Sequence, residues 1–82
     1  MARKAAAAQQ TRQQFDQLTP REREVAVLIA QAKSNDEIAA ALVVSKRTVE
    51  SHIANIRSKL GFTARAQIVR WAFESGLVKA SE

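Results

Sequence analysis

Residues 34–60 read SNDEIAAALVVSKRTVESHIANIRSKL, and this stretch decides the fold. Ser34 followed three residues later by Glu37 is a capping box, in which a hydroxyl and a carboxylate satisfy N–H groups that a helix start leaves unpaired. The helix it opens carries Ile38 and Leu42 on its inward face, and Ala39, Ala40 and Ala41 keep it slim. Val43-Val44-Ser45 is too short for anything but a turn. Ser45 can cap a second helix, in which Val49, Ile53, Ile56 and Leu60 recur at i, i+4, i+7 and i+11. Gly61 can take the left-handed conformation that closes it. The stretch therefore specifies a helix, a three-residue turn and a second helix, with axes close enough to cross at alanine.

Working outward, Thr19-Pro20-Arg21-Glu22 is another capping box, with proline at the first helical position. Val25, Leu28, Ile29 and Ala32 follow at one-face spacing, and Lys33 lies at the helix end. Downstream, Thr63 is expected to cap a fourth helix that Gly76 closes. Ile68, Trp71 and Ala72 form its core face. No segment sustains a period of two, and there is no internal repeat. The predicted fold is all-α: four helices at about residues 20–32, 35–42, 46–60 and 64–75. Residues 1–18 are rich in Ala and Gln, with only Phe15 and Leu18 to bury, and read as a linker or amino-terminal arm. Residues 19–77 form the domain, and 78–82 a short tail.

Composition narrows the function. A chain of 82 residues holds one thin core, which excludes a two-domain enzyme or a barrel. With 46% apolar and 26% charged residues it is globular. The absence of cysteine excludes disulfides, zinc ribbons and a thiol nucleophile. His52 is the only histidine, so no multi-histidine metal site can form; it falls about 60° off the core face and reads as a packed boundary residue. Ser51 and Ser58 have no histidine–carboxylate partners, and there is no glycine-rich phosphate loop. Neither catalysis, a metal nor a cofactor is expected. No apolar run approaches the ~20 residues of a membrane span, and the amino terminus lacks a signal-peptide core, so a cytoplasmic setting is expected.

The formal net charge is +5, and it is concentrated. Between residues 43 and 70, Lys46, Arg47, Arg57, Lys59, Arg65 and Arg70 stand against Glu50 alone. Stepping 100° per residue from Val49, Ile53, Ile56 and Leu60 of the third helix fall within about 40° of it. Arg47, Ser51, Ala54 and Ser58 fall opposite; Glu50 and Arg57 flank them on one side, Asn55 and Lys59 on the other. A strip that is small in the middle and polar around suits close approach to the major groove of double-stranded DNA. Arg47 can reach guanine O6 and N7, Ser51 either base type, and Ala54 a thymine methyl. Lys59, Arg65 and the helix N-termini at Ser34 and Ser45 suit phosphates.

The segments LTPREREV (18–25), SNDEIA (34–39), SKRTVESH (45–52) and KLG (59–61), in this order and spacing, resemble the LuxR/FixJ/GerE-type helix-turn-helix DNA-binding domain. The resemblance covers about residues 18–77. It implies a four-helix domain of a bacterial transcription regulator, with the third helix in the major groove and the fourth pairing two domains. It places Arg47, Glu50, Ser51 and Ala54 at bases. It places Lys46, Thr48, Lys59 and Arg65 at phosphates, together with Ser34 and Asn35. Two positions depart from the family's pattern. Glu50 stands where many relatives have lysine, which implies a different preferred sequence, since glutamate accepts from cytosine N4. Ala32 and Lys33 stand where glycine and an aliphatic residue are common, which implies an altered turn.

A second apolar stripe on the fourth helix, Ala66, Val69 and Phe73, must be buried or left exposed. It either receives the Phe15/Leu18 segment or forms a two-fold homodimer contact. Two competing functions share parts of the pattern. Arg21–Val25 and Ser34–Ala39 also resemble region four of a sigma factor, which would bind promoter DNA and contact RNA polymerase. A helical protein-interaction module without DNA binding would explain Glu50 and the second stripe.

Overall fold

The computed structural model describes residues 17–78 and contains four helices: α1 (Pro20–Ala30), α2 (Asn35–Leu42), α3 (Lys46–Leu60) and α4 (Arg65–Glu74). No strand occurs among the described residues, so the fold is the all-α one that the sequence predicts. The expected tail (residues 78–82) lies outside the described residues save for Val78. Most of the expected arm does too, Phe15 included. Leu18 does not: it is buried in the core, so the packed unit begins before Thr19.

Each helix start follows its local chemistry. Thr19 Oγ1 accepts from Glu22 N–H (3.1 Å) while Thr19 N–H donates to the Glu22 carboxylate (2.9 Å). Ser34 and Glu37 repeat the reciprocal pair at α2, at 3.1 and 2.8 Å. Ser45 Oγ accepts from Thr48 N–H at α3 (3.0 Å). The start of α4 departs from expectation. Ala64 rather than Thr63 is the N-cap, and it has no side-chain oxygen to offer. Gln67 reaches back instead, its Oε1 accepting from the N–H groups of Thr63 (2.6 Å) and Ala64 (2.8 Å).

Helix ends are less orthodox. Gly61 closes α3 at φ +72, with Phe62 N–H bonded to the Arg57 carbonyl (2.8 Å). The same geometry closes α1 and α2 without glycine. Ala32 sits at φ +65, with Lys33 N–H on the Leu28 carbonyl, and Val43 at φ +56, with Val44 N–H on the Ala39 carbonyl. This left-handed reversal ends α1 at Ala30, two residues before the expected Ala32. Ala32 is therefore exposed rather than inward, Leu28 is half-buried, and Ala26 takes the core position beside Val25 and Ile29.

The core joins Leu18, Val25, Ala26 and Ile29 to Ile38 and Ala39 of α2, Val49, Ile53, Ile56 and Leu60 of α3, and Ile68, Trp71 and Ala72 of α4. α1 packs chiefly on α4 and α2 on α3, and α1 also crosses α3; α2 and α4 touch least of all the pairs. The crossing of α1 and α3 carries a charged tie: Lys59 Nζ donates to Glu22 Oε1 (2.7 Å). The Glu22 side chain is nearly sealed from solvent, the lysine about a third exposed. Burial pushes the Glu22 carboxyl up, but the Lys59 ammonium and the Thr19 N–H outweigh it and hold it below the ordinary 4.5.

Two outcomes follow from these backbone and charge arrangements. A left-handed alanine or valine costs about 1–2 kcal/mol, part of which glycine relieves after its own entropy cost. Ala32→Gly and Val43→Gly should each raise the urea unfolding free energy by about 0.5–1 kcal/mol. A fall in either variant would mean that the turn is not strained. The lowered carboxyl of Glu22 contributes stability that is fully present above its unfolded value of 4.5 and lost as pH falls through its lower folded value. Unfolding free energy should therefore drop as the solution is acidified below that point. Glu22→Gln should cost about 1–3 kcal/mol at neutral pH and flatten the acid slope; an unaltered slope would remove Glu22 as its source.

Candidate nucleic-acid interface

The outward side of α3 is fixed by its inward side. Val49 and Ile56 are fully buried and Ile53 and Leu60 nearly so, which leaves Arg47, Glu50, Ser51, Ala54, Asn55 and Ser58 exposed along the other side. The helix has 15 residues, about 22 Å at 1.5 Å per residue. Arg47, Glu50, Ser51 and Ala54, the four residues expected at bases, form one continuous strip. Among the described residues, Arg47 and Glu50 have no hydrogen-bond or ion-pair partner. Glu50 is thus not held by Lys46 one turn back. Lys46 turns instead toward Asp36 of α2, at 3.6 Å, both side chains being exposed.

The residues expected at phosphates divide. The first residues of α2, α3 and α4 line one open cavity of about 600 Å³, with Ser34, Asn35, Lys46 and Arg65 on its wall. Three helix N-termini therefore face the same edge of the molecule, each adding partial positive charge. The Thr48 hydroxyl is within 2.9 Å of Ser45 Oγ and is half-buried. The Ser34 N–H holds the Glu37 carboxylate below its ordinary range, against a smaller upward push from burial. Two of the expected cations are engaged inside the protein. Lys59 is bonded to Glu22. Arg65 donates Nη1 to Asn35 Oδ1 and Nη2 to the Lys33 carbonyl, both at 2.6 Å.

On α4 the second apolar stripe is only partly free. Val69 is half-buried against the core, Ala66 is exposed, and Phe73 is 39% exposed. His52 is half-buried, and its Nδ1 is sealed from solvent with no hydrogen-bond partner among the described residues. The sequence reading missed Glu22 and Asp36 as partners of cations. Glu22 is visible in the sequence only as a cap, because its partner lies 37 residues away. Among the described residues there is no cluster of metal-ligating side chains, and no helix is long and apolar enough to cross a membrane.

Comparison with known proteins agrees with this geometry. The family described as "Bacterial regulatory proteins, luxR family" matches residues 16–72. The transcriptional regulatory protein MctR of Rhizobium johnstonii is 44% identical over 63 residues, covering 77% of this chain and 29% of that protein. The response regulator protein VraR of Staphylococcus aureus is 43% identical over 65 residues, covering 79% of this chain and 31% of VraR. The chain thus spans less than a third of the length of these relatives. With a matching family over most of its length and the helix-turn-helix in place, the chain belongs to the luxR family of bacterial regulatory proteins, and its four helices are that family's DNA-binding domain.

Proposed function

We propose that the chain binds double-stranded DNA sequence-specifically, with α3 in the major groove, as the DNA-reading part of a bacterial transcription regulator. The mechanism is binding without bond chemistry. The observation that carries it is the α3 strip: Arg47 and Glu50 are exposed and unpartnered beside Ser51 and Ala54, although every other face of that helix is engaged or flanking. Arg47 reads a guanine and Glu50 a cytosine N4, Ser51 accepts or donates at either base type, and Ala54 meets a thymine methyl. Lys46, Thr48 and the first-turn N–H groups of α2 and α3 meet phosphates. Lys59 and Arg65 serve the reading face from inside the protein. The binding unit is residues 18–77, since Leu18 belongs to the core. A homodimer through Phe73, Val69 and Ala66 would place two such faces about one helical turn of DNA apart. A cytoplasmic location and contact with RNA polymerase belong to the same reading.

Titrating a mixed-sequence duplex into the labelled 82-residue chain should shift backbone amides at residues 45–58 and spare α1, with shifts that shrink as salt rises. Silence on α3 at low salt would sink the proposal. Once a preferred site is selected, Arg47→Ala should weaken it by about 1–3 kcal/mol and leave non-specific binding nearly intact. Glu50→Lys should change the base preferred beside it; selection of an unchanged site would remove Glu50 from the reading set. Sedimentation across a wide concentration range, with and without duplex, tests the pairing of α4. A mass that stays monomeric, and a Phe73→Ala variant that binds a two-fold site as tightly as the parent, would rule it out.

A further inference from the structure

We infer that Arg65 is a positioning residue for the α3 reading face: it ties the first turn of α4 to the turn before α2, and so sets the angle at which the α2–α3 pair stands on the α1–α4 pair. Its effect at DNA rests on the function proposed above; the tie itself rests on the contacts alone.

The packing makes such a tie necessary. The four helices pack as two pairs, α1 with α4 and α2 with α3, and the pairs meet mainly where α1 crosses α3. At that crossing Lys59 and Glu22 hold the carboxyl-terminal half of α3. Arg47 and Glu50 stand in the other half of α3, away from that tie. α2 and α4 barely touch. Between them stands the Arg65 guanidinium, which spans two acceptors on either side of Ser34: the Asn35 side chain and the Lys33 carbonyl, each at 2.6 Å. A planar fork on two acceptors fixes direction as well as distance, which a single contact cannot do.

Both ends of the tie suit the role. On the α4 side, Gln67 accepts from Thr63 and Ala64 N–H and so anchors the backbone from which Arg65 projects. On the α2 side, the clasped loop follows Ala32, whose left-handed φ of +65 has no glycine to ease it. A strained turn of this kind persists when its surroundings over-determine it. From α2 the restraint passes to α3 through their shared core and through the Asp36–Lys46 pair, one residue from Arg47. The exposed pair alone adds little, so the packed core carries most of the restraint.

A phosphate contact and a positioning tie leave different signatures. Loss of a phosphate contact weakens all sequences alike and lowers the slope of log affinity against log salt by about 0.9. Loss of a positioning tie falls on the preferred site, leaves that slope in place, and is shared with the residue at its other end. The test uses the 82-residue chain and its Arg65→Gln, Asn35→Ala, double and Arg65→Lys variants. Far-ultraviolet circular dichroism first verifies that each keeps its helices, and Arg65→Lys stands in for any that does not. Without DNA, both single variants should shift the amides of residues 46–50 in the same direction, and the double variant should shift them no further. On DNA, each should lose about tenfold in affinity for the selected site, the double variant losing no more than either, with non-specific affinity and salt slope retained. Arg65→Lys should behave as a loss rather than a rescue.

Unmoved amides at 46–50 in the free Arg65→Gln chain would overturn the inference. So would single losses that multiply in the double variant, or an equal loss on all duplexes with the slope reduced by about one. If the parent chain bound no duplex, the DNA reading would fall by itself, and the DNA-free amide shifts would still decide the tie.

Discussion

A carboxylate sealed in a small core must be paired, and the pairing of Glu22 organises this domain. Its Oε1 accepts from Thr19 N–H at the start of α1, completing a capping box, and the same oxygen accepts from Lys59 near the end of α3. One side chain therefore fixes where α1 begins and where α3 lies across it. Removing either partner leaves an uncompensated charge or a broken cap, so the crossing has little freedom to slide. The apolar core around it, from Leu18 to Trp71, supplies the bulk of the stability but little direction, since hydrophobic contact is roughly isotropic. Direction comes from the few polar ties between helices.

Those ties also redistribute the charge. The net charge of +5 suggests an abundance of cations for a polyanion, yet the three cations expected at phosphates all have partners within the protein. Lys59 balances Glu22, Lys46 leans toward Asp36, and Arg65 holds Asn35 and a backbone carbonyl. Among the described residues, the exposed Arg47 and the half-buried Arg57 of α3 have no ion-pair partner. The first turns of α2, α3 and α4 line one cavity wall, and on the proposed function their N–H groups add to the attraction for phosphates. Net charge measured over a whole chain is thus a poor guide to how many phosphates it can neutralise.

Much of this was legible in the sequence, and the remainder was hidden for definable reasons. Capping boxes at Thr19 and Ser34 are local signals, and they marked the starts of α1 and α2 because the atoms involved are three residues apart. The inward and outward sides of α3 followed from its periodicity alone. Apolar spacing carries α1 on to Ala32, whereas the helix stops at Ala30 because Ala32 takes a left-handed turn that an alanine does not announce. Thr63 was read as a cap from its hydroxyl, whereas Gln67 does the capping from within the helix. The roles of Lys59 and Arg65 depend on partners 37 and 30 residues away, so no local pattern could separate them from a solvent-facing lysine or arginine.

The unpartnered state of Arg47 and Glu50 has an evolutionary consequence. Among the described residues neither side chain makes a hydrogen bond or ion pair, while the residues that hold α3 in place lie on its other faces and on neighbouring helices. On the function proposed above, substitution at these two positions rewrites what the helix recognises without disturbing the scaffold that presents it. A domain built this way can diverge in target preference one residue at a time, each intermediate remaining folded, and a lineage carrying many copies could give each its own address at little structural cost.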